Sequence, residues 1–245
     1  PVSPLRTHDL ARVELDRFTV LILPEGDYGE LLGKRGTEAI RGFVDRGGVL
    51  ITLGSASRWL MDKDVALLAS EAEPRGKGGG PATADAKPGD PKDGETKQND
   101  PKAGAAGETP KEPAKFDYAT AIRPDKEAPP STPGAILRVL VDAEHWLGFG
   151  YRGTASVVHD SSAILTPVKL DRGTNVAIYA AAEELVQAGF VWDESRRQLP
   201  QKAYLVHQPH GRGHVVAFAE DPNVRAFADG LNLLLLNAVL LTAGR

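Results

Sequence analysis

The sequence predicts an α/β fold: a mostly parallel sheet with helices on both faces. Three observations carry that reading. Residues 18–24 (FTVLILP) and 49–53 (VLITL) are continuous apolar runs rich in β-branched side chains, the pattern of strands buried on both faces. Between them, Ala39, Ile40, Phe43 and Val44 recur at the spacing of one helical face. Strand, helix and strand in that order form a βαβ crossover, which makes the two strands parallel.

Taken in order, Pro24 stops the first strand and residues 26–29 turn the chain. The predicted helix covers 37–46 and ends at Gly47-Gly48. After the second strand, Gly54-Ser55-Ala56-Ser57 makes a tight turn, with Ser57 placed to cap a helix running to about residue 70. Sheets of this kind bind ligands outside the carboxyl ends of their strands. Those ends are residues 24–28 and 54–57, so Glu25, Ser55 and Ser57 are candidate ligand contacts.

Residues 71–115 contain no Val, Ile, Leu, Met or aromatic side chain; Pro, Gly, Ala and charged residues dominate. Such a block has little to bury against the entropy of ordering it, which predicts a disordered insertion. Loop-closure entropy rises slowly with length, so a surface loop tolerates one. The remaining pieces, 1–70 and 116–245, together hold enough apolar residues for one α/β core.

The second piece is richer in strands, predicted at 135–141, 156–159, 163–166 and 175–179. Residues 203–207 and 214–219 flank Gly211-Arg212-Gly213, a hairpin signal. Asp221 as N-cap and Pro222 at the first helical position start a last helix. Its later turns, with Leu231, Leu233 to Leu236 and Val239 to Leu241, are apolar almost all round, which predicts burial against the sheet. Asp229, Asn232 and Asn237 interrupt a run already too short to span a membrane.

Composition narrows the function. The 245 residues carry 29 Lys and Arg against 33 Asp and Glu, a formal net charge of −4. That argues against a nucleic-acid partner bound through many neutralised phosphates. There is no cysteine, which excludes disulfides, thiolate metal sites and a cysteine nucleophile. No basic and apolar leader pattern is visible at the start, and no GxxxxGK[ST] or GxGxxG loop occurs.

Three constellations could carry chemistry. The turn after the second strand stands where α/β hydrolases and amidotransferases hold an elbow nucleophile, and Ser55 is the candidate there. A serine needs a histidine base oriented by an acid. His207, His210 and His214 are available as bases and Glu220 as the acid, although no spacing rule links them to Ser55. Second, His207 and His214 on facing hairpin strands are candidate zinc ligands. Third, His145-Trp146-Leu147-Gly148-Phe149-Gly150-Tyr151 interleaves aromatics with glycines, and Trp146 and Tyr151 are candidates for a peptide or glycan platform. The bland alternatives are a capping serine, solvated histidines and a loop that covers a sheet edge.

Four segments carry a family resemblance: 15–24 (LDRFTVLILP), 43–54 (FVDRGGVLITLG), 133–151 (PGAILRVLVDAEHWLGFGY) and 211–237 (GRGHVVAFAEDPNVRAFADGLNLLLLN). In their order and spacing the chain resembles the glutamine-amidotransferase-like domain at the C-terminus of bacterial zinc carboxypeptidases of the carboxypeptidase A superfamily. The resemblance implies a flavodoxin-like sheet similar to class I amidotransferases, whose active members use an elbow cysteine. Here Gly54-Ser55-Ala56 stands at that turn, so glutamine hydrolysis by that route is excluded. The peptidase's zinc ligands, a His-x-x-Glu pair and a distant His, have no match. The resemblance therefore implies a non-catalytic accessory domain, a pseudoenzyme with no cofactor of its own. Its partner is a zinc-bearing peptidase domain upstream in the same polypeptide, and the setting is periplasmic or secreted. It also implies a further strand and helix before Pro1. Two other functions stay open: a serine-dependent hydrolase using Ser55, and a peptide- or glycan-binding module.

Overall fold

The computed structural model describes residues 2–73, 118–121, 123–226 and 228–244. The insertion expected at 71–115 falls outside them from residue 74 onward. Its first residues are packed: Ala72 forms an antiparallel bridge with Leu165, and the Glu73 amide donates to the Ile164 carbonyl.

Among the described residues eight strands form one sheet: β1 (Val20–Leu23), β2 (Val49–Thr52), β3 (Ala135–Val141), β4 (Thr154–His159), β5 (Thr174–Tyr179), β6 (Val186–Gly189), β7 (Ala203–His210) and β8 (Gly213–Phe218). The helices are α1 (Gly29–Asp45), α2 (Ser55–Trp59), α3 (Tyr118–Ala121), α4 (Ala182–Leu185), α5 (Asp193–Gln198) and α6 (Asn232–Leu241). Short 3-10 turns link several of them, including Trp146–Gly148. No helix among the described residues is long and apolar enough to cross a membrane.

The sheet order is β1-β2-β8-β7-β5-β3-β4, with β6 also beside β3. Among the described strands only β1–β2 and β2–β8 pair in parallel; the other pairings are antiparallel. This corrects the expected mostly parallel, flavodoxin-like sheet with helices on both faces: the sheet is mixed, curls into a half-barrel and has few helices. The reason lies in the connections. A parallel pair needs a crossover of a dozen residues or more. The local β1–α1–β2 unit has one, in the 17-residue α1. The β7–β8 link is a tight hairpin, and α2 to α5 span only four to six residues each, too few to cover a face.

Within the βαβ unit the pattern was informative. Ile40, Phe43 and Val44 of α1 are buried, and the helix breaks at Gly33, where φ is +56°. The crossover packs closely on the sheet: a Cβ at Gly213 would lie 2.2 Å from the Gly48 carbonyl oxygen and 2.4 Å from that of Val44. The core continues through Leu50 and Ile51 of β2, Leu137 of β3, Tyr179 of β5, Tyr204 of β7 and Val216 and Phe218 of β8.

Several local expectations differ from the structure. The helix after β2 stops at Trp59, and Leu60, Leu67 and Leu68 are buried from irregular backbone instead. Residues 163–166 contribute isolated bridges at Leu165 rather than a strand. Asp221 does not cap the last helix; its carboxylate accepts from the Asn223 amide at 2.8 Å in a separate turn, and α6 begins at Asn232. Nor is α6 buried all round. The Asn237 amide donates to the Leu147 and Phe149 carbonyls, so the side with Leu234, Asn237 and Ala238 packs inward and Leu236 and Leu240 stay exposed.

Candidate functional site

Strand direction sorts the candidate residues into two groups. Register runs from Val49↔His214 to Thr52↔Ala217, so Ser55 and Glu220 follow the carboxyl ends of β2 and β8 while His214 stands at their amino ends. At about 3.3 Å per residue, the six positions from His214 to Glu220 span about 20 Å. His207, paired with Val216, and His210, paired with Gly213, lie on the His214 side. The structure therefore does not bring Ser55 together with the three histidines considered as its base.

At the carboxyl end, Gly54 takes φ +55°, as a tight strand-to-helix turn requires, and the Glu25 carboxyl group lies over it: a Cβ there would be 3.3 Å from Glu25 Cδ. The Ser55 hydroxyl donates to the Gly26 carbonyl at 3.0 Å and accepts from the Gly26 amide at 2.9 Å, tying the turns after β1 and β2 together. Ser57 is fully buried and donates to the Phe218 carbonyl at 2.7 Å, bracing β2 against β8. Partial burial and the charges of Glu220, Asp160 and Asp221 push the Glu25 pKa up.

Beside them is a pair that sequence reasoning did not find. His159, the last residue of β4, places Nδ1 2.5 Å from Glu220 Oε1, and both residues are buried. Ser161 donates to the same oxygen at 2.8 Å, and the buried Tyr179 hydroxyl lies 3.5 Å from His159 Nδ1. A lone histidine closing an apolar strand, 61 positions before its partner, carries no spacing signal.

At the amino end, three imidazoles form a chain. The Leu147 amide donates to His145 Nδ1 at 3.2 Å, so a neutral His145 carries its proton on Nε2. That nitrogen faces His207 Nδ1 at 3.4 Å, and His207 Nε2 faces His214 Nδ1 at 3.0 Å. The chain thus assigns one donor and one acceptor to His207. Burial, then the neighbouring His145 and His214, lower the His207 pKa to about 3.

His207 therefore uses different ring nitrogens toward its two neighbours, and the three rings do not converge on one point. Among the described residues, no group of three or more His, Asp or Glu side chains could hold a metal ion. His210 stands apart, with Nε2 3.4 Å from Asp45.

Trp146 stacks on His145 with ring centroids 3.9 Å apart and meets His207 edge-on at 4.7 Å. These rings wall a cavity of about 540 Å³, and Asp171 and Arg172 supply polar groups to its lining. Tyr151 is elsewhere. Its hydroxyl donates to the Gly230 carbonyl and accepts from the Leu234 amide, holding the start of α6, and its ring lines a separate cavity of about 400 Å³ with Ile136 and Val157. The loop's two candidate aromatics therefore serve different surfaces.

No family model and no curated protein matches the sequence. Solved structures do match in fold. A cytoplasmic protein from Salmonella typhimurium superimposes with a TM-score of 0.51 at 12% identity, covering 96% of this chain and 78% of that one. A ThuA-like protein from Bacteroides uniformis gives a TM-score of 0.51 at 12% identity, covering 94% and 73%. At such identity the likeness is one of fold, a mixed-sheet half-barrel similar to that of ThuA-like proteins.

Proposed function

We propose that this chain is a non-catalytic accessory domain that binds a peptide or glycan in the cavity beside Trp146. The observation that carries the binding reading is that cavity, which joins an indole wall to imidazole, carboxylate and guanidinium groups. Aromatic surface flanked by a few polar groups suits a ligand with both apolar and hydroxyl or amide character. Titration with peptide and glycan fragments tests it. Trp146→Ala is expected to weaken binding by about tenfold or more, the scale of a truncated aromatic anchor. Equal affinity for the two proteins would refute the reading.

The non-catalytic part rests on Ser55. Its hydroxyl hydrogen is held by the Gly26 carbonyl, and the three histidines considered for it lie toward the other end of the strands. A fluorophosphonate probe is expected to leave Ser55 unmodified; stoichiometric labelling would make the chain a serine hydrolase. The parent we propose is a larger zinc metallocarboxypeptidase-like protein whose peptidase domain lies upstream, and an intact-mass measurement of the natural chain checks it.

A further inference from the structure

Residues 123–131 form a strap that makes no backbone–backbone hydrogen bond to any strand or helix among the described residues. Side chains from α5 and its flanks hold it instead. Trp192 Nε1 donates to the Ser131 carbonyl at 3.2 Å and Ser195 Oγ to that of Pro130 at 3.4 Å. Gln198 Nε2 donates to the Glu127 carbonyl and Lys202 Nζ to that of Arg123, both at 2.8 Å. As the donor's number rises the acceptor's falls, so the strap runs antiparallel to α5. All four contacts read a backbone carbonyl, and none of them reads a strap side chain.

The strap's composition fits that readout. Pro124, Pro129 and Pro130 lack an N–H, and their rings fix φ near the polyproline II value. Pro129 is buried, whereas Asp125, Lys126, Glu127 and Ala128 are exposed. Beside Ser131, Phe190 and Trp192 present partly exposed rings, edge to face with centroids 4.7 Å apart. An aromatic surface with an indole N–H donating to a carbonyl next to prolines suits the docking of proline-rich segments.

The fit within the chain is incomplete. Gln198 is 5% exposed and its Nε2 faces the strap, but its Oε1 has no hydrogen-bond partner among the described residues. Buried polar groups in folded proteins are nearly always paired, so this acceptor asks for a donor that the strap does not bring. The strap also opens without breaking the sheet, because no ladder bond runs through residues 123–131.

We propose that α5 and its flanks are a docking site for a proline-rich segment of another protein, and that the strap fills this site until such a segment displaces it. A segment of prolines broken by an occasional other residue offers carbonyls to the four donors and an N–H to Gln198 Oε1. Its backbone is already extended, so it loses little freedom on docking. The site shares no residue with the lining of the Trp146 cavity, so it stands or falls independently of the function proposed above.

Fluorescence anisotropy of the whole chain with a labelled peptide of four Pro-Pro-Ala repeats tests it, and a Gly-Ser repeat peptide of the same length is the flexible control. The expected result is saturable binding of the first and none of the second. Trp192→Phe keeps an aromatic ring and removes the indole donor, so it should bind about tenfold more weakly. At 45% exposure the same change should leave the unfolding midpoint close to that of the wild type. Pro129→Gly with Pro130→Gly loosens the strap and leaves the donors in place, so this variant should bind about tenfold more tightly. Hydrogen exchange at the amides of residues 125–128 in the wild type should quicken when the peptide is bound, a readout that does not depend on either variant. Absence of saturable binding to the wild type, or equal binding of the Gly-Ser peptide, overturns the proposal. So does affinity unchanged in Trp192→Phe or not raised in the folded double variant, or exchange at 125–128 that bound peptide leaves unaltered.

Discussion

Glu73→Ala is expected to destabilise the protein by about 3–5 kcal/mol, the cost of leaving a buried charge without its partner. Glu73 and Lys202 are 1% and 6% exposed, with Lys202 Nζ 2.6 Å from Glu73 Oε1. Lys202 also donates to the Arg123 carbonyl at 2.8 Å, and the Asp125 amide donates to Glu73 Oε2. The pair therefore clasps residue 73 to residues 123–125, across the segment 74–117. Without the carboxylate, the ammonium keeps one carbonyl in a site closed to water. The loss is a large part of the roughly 5–15 kcal/mol that holds a domain together. Replacing both residues with methionine removes both charges and should be close to neutral, because the desolvation penalty goes with them. Urea unfolding of the wild type, Glu73→Ala and the double variant measures this. A single-variant loss below about 1 kcal/mol would mean that water screens the pair as it screens a surface salt bridge.

Acid should weaken the fold through His207. In the unfolded chain this imidazole titrates near 6.5, and in the folded protein at about 3. Between those values the unfolded state holds a proton that the folded state does not. Stability is therefore complete above about pH 6.5 and falls as pH drops toward 3, by about 1.4 kcal/mol per unit from this residue. His145 and His214 reinforce the effect, because a protonated His207 would need two acceptors and would face two imidazoles at close range. His207→Leu removes the titration. Urea unfolding from pH 7.5 to 4.5 should give a shallower decline for that variant than for the wild type, although the variant starts lower at pH 7.5. Contributions from other groups cancel in the difference. Parallel declines would show that His207 accepts its proton readily in the folded state.

Local chemistry made much of the chain legible. The apolar runs at 18–24, 49–53 and 135–141 became β1, β2 and β3. Of these β2 is buried along its whole length, as a strand covered on both faces is, whereas β1 and β3 alternate and leave Ile22 and Leu140 exposed. Ile40, Phe43 and Val44 marked the buried side of α1 in the same way. The Gly211-Arg212-Gly213 turn announced the β7–β8 hairpin. Strand β6 (VQAG) was not seen, since a short and largely exposed strand carries little of that pattern.

The candidate sites were legible only in part. The turn at Ser55 and the loop at Trp146 were visible as motifs, but the partners of each were not. His145 meets His207 across 62 positions, His159 meets Glu220 across 61, and Glu73 meets Lys202 across 129. No periodicity links such residues, because their proximity follows from strand order and direction.

By itself the sequence determined where strands and the crossover helix form, that the elbow lacks a cysteine, and that residues 71–115 offer no apolar core. Each of these depends on a residue's own side chain and its near neighbours. Only the tertiary structure decided that the sheet is mixed rather than mostly parallel, and that Ser55 is tied to Gly26 while the hairpin histidines lie toward the other end of the strands. Strand runs of similar composition can pair in either direction, and the connections and the packing of the whole sheet select between them.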